Sequence, residues 1–140
     1  MKPEIYKDEG YKLMGAAFEV YNERGYGLGE EIHQECLEIE LDFLKIPFKR
    51  QAPLPLYYRG QTLRQKFQPD FICYEKIILE IKAVSQLTDE HRAQVLNYLN
   101  ATGYELGLLV NFGARPRIEY ERLVNSRSAK QNSIDQVTLH

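Results

Sequence analysis

The sequence has little of what marks secreted, membrane or zinc-binding proteins. It contains two cysteines in 140 residues, Cys36 and Cys73. Both lie in apolar-periodic segments, which favours small core residues in a reducing compartment over a disulfide framework or a zinc site. No apolar run approaches the ~20 residues that a membrane-spanning helix needs, and the first residues lack the apolar region of a signal peptide. We therefore expect a cytoplasmic protein with no membrane partner.

Strong charge of either sign is also missing. The formal net charge of −2 gives no general attraction to polyanions, so contact with nucleic acid requires a local patch. A hydrophobic fraction of 44% suits one globular domain with its own core. We find no internal repeat or linker. The expected organisation is one domain over 1–125, followed by a polar, unpatterned tail over 126–140.

The most informative stretch runs from 67 to 84. Two apolar segments are joined by the short polar turn Tyr74-Glu75-Lys76, a pattern that predicts a β-hairpin. A three-residue loop pairs Cys73 with Ile77 and thereby sets the register of both strands.

This register places two carboxylates and a lysine on one face of the hairpin. Asp70 lies opposite Glu80, with Cβ atoms roughly 5 Å apart, and the strand period of two adds Lys82 to the same face. The opposite face is core, formed by Ile77, Leu79 and Ile81. Two facing carboxylates repel each other, so one must be protonated or both must bind a cation. A divalent metal is the usual resolution, and the lysine can position or polarise a water molecule.

Two helices are predicted before the hairpin. The first covers about 8–23, with Asp8 as its N-cap, and shows no residues suited to chemistry. The second covers about 30–45 after the glycine-rich turn 25–29. Its apolar residues form two lines, one of Ile32, Cys36, Ile39 and Phe43 and the other of Leu37, Leu41 and Leu44.

Two residues in the first turn of the second helix bear on function. Glu30 is in angular register with the Leu37 line, on the side expected to face the core. A carboxylate there suits the helix dipole, but next to a carboxylate hairpin it is also a candidate third acidic group. His33 lies in the same turn. A histidine in such a position is more often half-buried and satisfied within the protein than a ligand.

The segment between the second helix and the hairpin is rich in basic residues. Strands are expected over 47–51, 54–58 and 62–67, with prolines that suit strand starts or sheet edges. The basic residues of this region are Lys49, Arg50, Arg59, Arg64 and Lys66. They predict either a phosphate-facing patch or a solvated sheet edge, and both interpretations stay open here.

A third helix and a buried strand follow the hairpin. The helix covers about 89–101, with Thr88 as its N-cap, and its residues His91, Gln94 and Tyr98 form a stripe at spacings of three and four. Such a stripe is normally a solvated face, but this one follows the lysine-bearing strand directly. The apolar segment 105–112 then predicts a strand parallel to the second hairpin strand through a right-handed crossover, and 117–124 predicts a last strand.

These residues resemble a known signature. Pro69-Asp70, nine intervening residues and then Glu80-Ile81-Lys82 are similar to the PD-(D/E)xK pattern of the restriction-endonuclease-like nuclease superfamily. The segment Gln94-Val95-Leu96-Asn97-Tyr98 resembles the QxxxY motif of RecB-type and lambda-exonuclease-type members. Glu30 is similar to the glutamate that those members carry on an early helix.

A narrower resemblance concerns the glycine-rich turn. Gly27-Leu28-Gly29-Glu30-Glu31-Ile32-His33 is similar to the signature of the GxxExxY protein family, a small bacterial and archaeal group placed in this superfamily. His33 occupies the position of the signature tyrosine. The resemblance covers roughly residues 8–124.

The resemblance implies a fold, a reaction and a set of roles. The fold is α/β, a single small domain with a mixed central sheet flanked by helices and an αβββαβ core. The reaction is metal-dependent hydrolysis of nucleic-acid phosphodiester bonds, with DNA preferred to RNA as the partner and Mg²⁺, or Mn²⁺ as its substitute, as the cofactor. The implied metal ligands are Asp70, Glu80, the backbone carbonyl of Ile81 and Glu30.

The remaining roles implied by the resemblance fall on the lysine and the third helix. Lys82 orients or helps to deprotonate the attacking water, and it completes the catalytic group with the three acidic residues. Gln94, Tyr98 and His91 position the substrate.

Two other interpretations compete with the nuclease. The first is a non-catalytic module that keeps the nuclease fold and binds nucleic acid or protein. The second treats Asp70, Glu80 and Lys82 as a buried ion network without chemistry, although such networks stabilise a fold less than apolar packing does.

Overall fold

A computed structural model describes residues 4–125 of the chain. It contains three helices and seven strands in the described part: α1 (Lys7–Arg24), α2 (Glu30–Phe43), β1 (Phe48–Arg50), β2 (Leu54–Tyr58), β3 (Gln61–Phe67), β4 (Phe71–Cys73), β5 (Ile77–Lys82), α3 (Asp89–Thr102), β6 (Leu106–Asn111) and β7 (Glu119–Val124). The predicted tail over 126–140 lies outside the described residues.

Five strands form the central sheet in the order β1-β4-β5-β6-β7. The pair β5 and β6 is parallel, with α3 as the connection, while the other neighbours are antiparallel. Strands β2 and β3 form a separate two-stranded sheet. The structure therefore confirms the predicted α/β fold with a mixed sheet flanked by helices, and also the parallel pairing on either side of α3.

Strand alternation divides the core into two layers. Ile77, Leu79 and Ile81 of β5 pack with buried residues of α1 and α2, whereas Ile78 packs on the opposite face. That opposite face is covered by α3 and by the β2–β3 hairpin. Because successive side chains of a strand point to opposite faces, one apolar strand supplies both layers.

Two helix boundaries differ from the sequence prediction. Asp8 is not the N-cap of α1, because the helix already begins at Lys7 and Tyr6 occupies the cap position. Asp8 instead lies in the first turn, where a negative charge suits the helix dipole. Helix α2 ends at Phe43, two residues early, because Lys45 adopts a positive φ of 59°. The prediction of Thr88 as the N-cap of α3 is confirmed.

Among residues 4–125, none of the helices has both the length and the hydropathy that crossing a membrane requires.

Candidate active site

The β4–β5 hairpin has the register that the sequence predicts. Cys73 pairs with Ile77, and the amide of Lys76 donates to the carbonyl oxygen of Cys73 at 3.1 Å. Tyr74 and Glu75 between them both have positive φ, 55° and 61°, as in a type I′ turn, whose twist matches that of paired strands. The tight turn therefore fixes which residues of β4 and β5 face each other.

Asp70 and Glu80 lie just beyond the last β4–β5 pair. The side chain of each accepts a hydrogen bond from a backbone amide of the facing segment. The amide of Asp70 donates to Glu80 Oε1 at 3.0 Å, and the amide of Ile81 donates to Asp70 Oδ2 at 2.7 Å. Each carboxylate thus uses one oxygen to anchor itself. Its second oxygen, Asp70 Oδ1 or Glu80 Oε2, accepts no hydrogen bond from the described residues. The prediction that the two carboxylates lie together is confirmed.

Burial makes this pair electrostatically strained. Desolvation and the neighbouring charge of Asp70 raise the pKa of Glu80 to about 8, more than the Asp70 amide and Lys82 lower it. Desolvation also raises the pKa of Asp70, against the opposing effects of the Ile81 amide and Lys82. The charged pair therefore lacks enough positive charge from the protein, which is the condition under which a divalent cation binds well.

The raised pKa of Glu80 predicts an inverse dependence of stability on pH. Between its ordinary value of 4.5 and about 8, the folded state holds a proton that the unfolded state releases. The free energy of unfolding must therefore fall as pH rises through this window. With EDTA present, we expect the melting temperature of the wild type to decrease from pH 5 to pH 8 and that of Glu80→Gln to decrease less. Equal slopes for the two proteins would contradict the assignment.

Glu30 and Lys82 complete the charged surroundings of the pair. Glu30 is the exposed first residue of α2, and its pKa is raised by desolvation first and by the charge of Asp70 second, while Lys82 lowers it. The charges of Asp70 and Lys82 are thus close enough to Glu30 to affect its pKa. Within residues 4–125, however, no three acidic, histidine or cysteine side chains lie close enough to enclose a metal ion. The site is therefore built on two carboxylates, with Glu30 nearby.

A cavity of about 260 Å³ opens beside Glu80, between β5 and α3. It brings together four predicted site residues, Glu80, Lys82, Gln94 and Tyr98. Its other lining residues are Lys66, Phe67, Gln68 and Val95. The predicted stripe on α3 is therefore partly a cavity wall and not simply a solvated face. Asp70 is connected to the cavity through its hydrogen bond with Glu80.

Comparison with known proteins identifies the family of the chain. Residues 7–123 match the sequence model of the PD-(D/E)XK nuclease superfamily. The chain belongs to the PD-(D/E)XK nuclease superfamily. No curated protein gives a significant match. The predicted superfamily is thus confirmed, and this match does not distinguish the GxxExxY group within it.

Solved structures of the same fold include two with little sequence identity. The crystal structure of SSO0001 has a TM-score of 0.53 and 20% identity, and the match covers 79% of this chain and 59% of that one. An alkaline exonuclease from Laribacter hongkongensis has a TM-score of 0.51 and 11% identity, with 79% and 63% of the two chains covered. This chain therefore spans about three fifths of the length of those proteins.

Sequence reasoning missed Gln68, a polar residue of the cavity lining, and named Lys66 only as part of the basic region. Gln68 lies two residues before Asp70, and Lys66 a further two residues before Gln68. Both line the cavity. The position of Gln68 directly before Pro69-Asp70 could have indicated it. Lys66 and Gln68 add an ammonium and an amide group to the cavity lining.

Tyr98 is held by an aromatic stack. Its ring lies parallel to that of Phe67, with centroids 3.8 Å apart and an interplanar angle of 7°. Because Phe67 is buried at the end of β3, this stack ties α3 to the β2–β3 hairpin across the cavity. The tyrosine hydroxyl is therefore presented by a ring with little freedom to move.

His91 lies outside the cavity lining, in contrast to Gln94 and Tyr98. Its Nδ1 accepts a hydrogen bond from the Thr88 amide at 3.0 Å, and its own amide donates to Thr88 Oγ1 at 3.4 Å. These reciprocal bonds form a capping box. In the structure His91 thus fixes the start of the helix that carries the other two residues of the stripe.

His33, at the position of the signature tyrosine, is fully buried, and its ring nitrogens face backbone carbonyl oxygens. Its ring stacks on Phe112 with centroids 4.7 Å apart. Its Nε2 and Nδ1 lie 2.9 and 3.3 Å from the carbonyl oxygens of Gly25 and Gly29. The expectation of a satisfied histidine is confirmed, although the ring is more deeply buried than expected. The contacts of His33 hold the glycine-rich turn 25–29, which places Glu30 at the start of α2.

Asn111, buried at the end of β6, holds the chain just after Lys82. Its Oδ1 accepts from the Val84 amide at 2.9 Å and its Nδ2 donates to the Val84 carbonyl at 2.8 Å. Gly113 is also packed here, since a Cβ at that position would lie 2.4 Å from the Val84 carbonyl oxygen. These contacts fix the backbone that follows β5, and therefore also the end of the strand, where Lys82 lies.

The predicted basic region is divided between two sites. Arg50 on β1 pairs with Glu38 of α2 at 3.6 Å. Arg59, Arg64 and Lys66 belong to the exposed β2–β3 hairpin, and Lys66 alone of the five basic residues lines the cavity. The structure thus places one of these basic residues at the cavity and the others away from it.

Proposed function

We propose that this protein is a Mg²⁺-dependent nuclease that hydrolyses phosphodiester bonds, and that it is a member of the GxxExxY group of its superfamily. The observation that carries this proposal is the anchored Asp70 and Glu80 pair, whose raised pKa values reflect uncompensated negative charge. The pair adjoins a cavity that also contains Lys82. A purely structural ion network would pair these charges directly, yet no ion pair of Lys82 occurs within the described residues.

The donor set suits magnesium. Mg²⁺ is bound by one or two carboxylates together with water and substrate phosphate oxygens, not by a full protein cage. Asp70 and Glu80 would hold it through their second oxygens, with the Ile81 carbonyl as a further ligand and Glu30 near enough to bind an outer water. When bound, the ion lowers the pKa of a coordinated water and neutralises charge that develops on the phosphate.

The protein side chains supply positioning and proton transfer. Lys82 orients the attacking water and assists its deprotonation, since it shares a strand face and a cavity wall with Glu80. Gln94 and Tyr98 hold the scissile strand from α3. Lys66 and Gln68 line the same cavity, and their ammonium and amide groups can bind a phosphate oxygen.

The substrate is nucleic acid, with DNA as the preferred polymer. On the β2–β3 hairpin, Arg64 lies two residues before Lys66, which lines the cavity. Residues two apart share a strand face about 7 Å apart, so these cations can contact successive phosphates of one strand. The protein as a whole has a net charge of −2, and this local patch supplies the attraction that the net charge does not.

A cleavage assay tests the proposal. Labelled DNA and RNA, each single-stranded and double-stranded, are incubated with Mg²⁺, Mn²⁺ or EDTA. We expect cleavage with either metal and none with EDTA, and an Asp70→Asn protein purified in parallel controls for contaminating nucleases. If the wild type binds these substrates in gel shifts but cleaves none of them, the protein is a binding module that retains the nuclease fold.

Substitutions on α3 should produce partial losses. Tyr98→Phe keeps the stack on Phe67 and removes only the hydroxyl, so we expect about a tenfold loss of kcat/KM, equivalent to one hydrogen bond to a charged phosphate. Gln94→Ala should behave similarly. Asn97→Ala, an exposed change on the same helix, is the matched control and should be neutral. Full activity of Tyr98→Phe and Gln94→Ala would exclude both from substrate positioning.

A further inference from the structure

Helix α2 carries an exposed apolar line that the nuclease site does not use. Ile32, Ile39 and Phe43 are 49%, 65% and 77% exposed, and Cys36 between them is partly exposed. We name these four residues the α2 ridge. The other apolar line of the helix is the one that packs inward, since Leu37 and Leu41 are fully buried.

The spacing of the α2 ridge is that of a helix-pairing surface. Its members are separated by four, three and four residues, the alternation of a and d positions in a heptad repeat. Such a surface on a single helix packs best against a second helix, whose side chains fit between its own. No described residue supplies that second helix.

Grooves run along both sides of the α2 ridge. One of about 880 Å³ lies towards α1 and another of about 560 Å³ lies towards β1, and Ile39 lines both. The second groove also contains Gln34, which is only 9% exposed. Its side-chain Nε2 is buried without a hydrogen-bond partner within the described residues.

The charge around the α2 ridge identifies the chemistry of its partner. Residues 30–43 contain six acidic side chains and no lysine or arginine. Glu35, Glu40 and Asp42 occupy the g and e positions, which flank the a and d positions of the α2 ridge. In a coiled coil the charges at e and g decide which partner helix binds. Glu19 and Glu23 add negative charge on the α1 side, where Lys12 is the one basic residue of the groove lining. On the other side Arg50 is paired with Glu38.

This distribution opposes pairing of two copies of α2. A symmetric dimer through the α2 ridge would bring acidic flanks together, and like charges across such a seam are destabilising. A nucleic acid is excluded for the same reason. We propose that the α2 ridge binds an amphipathic helix of another protein, with apolar residues at its a and d positions and lysine or arginine at its e and g positions.

The test uses a synthetic probe with those properties. A labelled peptide of about three heptads carries Leu at a and d and Lys at e and g, and its binding to the full chain is followed by fluorescence anisotropy. One control peptide has Glu at e and g, and another has the same composition with the apolar period broken. We expect the lysine peptide to bind at least tenfold more tightly than either control, and the difference between the lysine and glutamate peptides to decrease with salt.

Variants of the protein locate the site. Ile39→Asp should weaken binding of the lysine peptide at least tenfold. Tyr11→Asp, the same charge change at an 81% exposed aromatic residue of α1, should have little effect. The double change Glu35→Lys and Glu40→Lys should reverse the preference towards the glutamate peptide. Circular dichroism of each variant checks that it is folded, and unchanged nuclease activity of Ile39→Asp would separate this surface from the proposed active site.

Three outcomes would overturn the proposal. The first is equal binding of the lysine peptide and its controls, and the second is unaltered binding by Ile39→Asp. The third is a wild-type dimer in analytical ultracentrifugation that Ile39→Asp dissociates, since a second copy then covers the α2 ridge. None of these results bears on metal-dependent cleavage, which is measured separately.

Discussion

Lys82→Ala should reduce the cleavage rate by two to four orders of magnitude, the range typical of losing a group that assists proton transfer, while leaving the fold and metal binding nearly unchanged. The contrast follows from the geometry. Lys82 lines the cavity beside Glu80 but takes no part in the hydrogen bonds that hold Asp70 to Glu80. Single-turnover cleavage measures the first effect, and metal-dependent melting curves measure the second.

Two variants sharpen this test. Lys49→Ala removes an exposed lysine of β1 that does not line the cavity, and it should leave the rate within about twofold. Lys82→Arg keeps a positive charge but replaces a compact ammonium with a guanidinium that does not act as a base, so we expect it to be almost as impaired as Lys82→Ala. Retention of at least half the activity by Lys82→Ala would exclude the lysine from the chemistry.

Asp70→Asn should abolish both cleavage and stabilisation by metal. In the wild type, Mg²⁺ at about 100 times its Kd should add about 2.7 kcal/mol to the free energy of unfolding, since it binds only the folded state. The amide side chain of the variant has no charge for the cation, although its oxygen can still accept from the Ile81 amide as Asp70 Oδ2 does at 2.7 Å. The fold should therefore survive, and the metal-dependent rise in melting temperature should disappear.

Asp70→Asn has a second expected effect, which distinguishes loss of the metal site from a general loss of stability. Without metal, Asp70→Asn removes the charge that helps to raise the pKa of Glu80, so in EDTA at pH 8 the variant should melt a few degrees higher than the wild type. Glu31→Gln, an exposed neighbour of Glu30, is the control and should keep the full response to metal. If millimolar Mg²⁺ and Mn²⁺ leave the wild-type melting curve unchanged, the two carboxylates are not a metal site.

The sequence by itself determined the local arrangement of the hairpin. Nine residues separate Asp70 from Glu80 along a chain whose turn is short, so the turn and the strand period of two were sufficient to place them together with Lys82. The same is true of Thr88, because an N-cap depends on the residues that immediately follow it. Such features depend mainly on short-range geometry, although the same reasoning wrongly gave Asp8 as the N-cap of α1, where Tyr6 occupies that position.

Only the tertiary structure decided which surfaces meet across long separations. Both apolar lines of α2 have helical spacing, and the packing of α1 and the sheet buried Leu37 and Leu41 but left Leu44 and the α2 ridge exposed. The wall formed by Lys66 and Gln68 became part of the site because the β2–β3 hairpin packs on α3. The raised pKa of Glu80 likewise required burial beside Asp70. Desolvation and long-range packing depend on all the elements that surround a residue, so the pattern within one segment does not specify them.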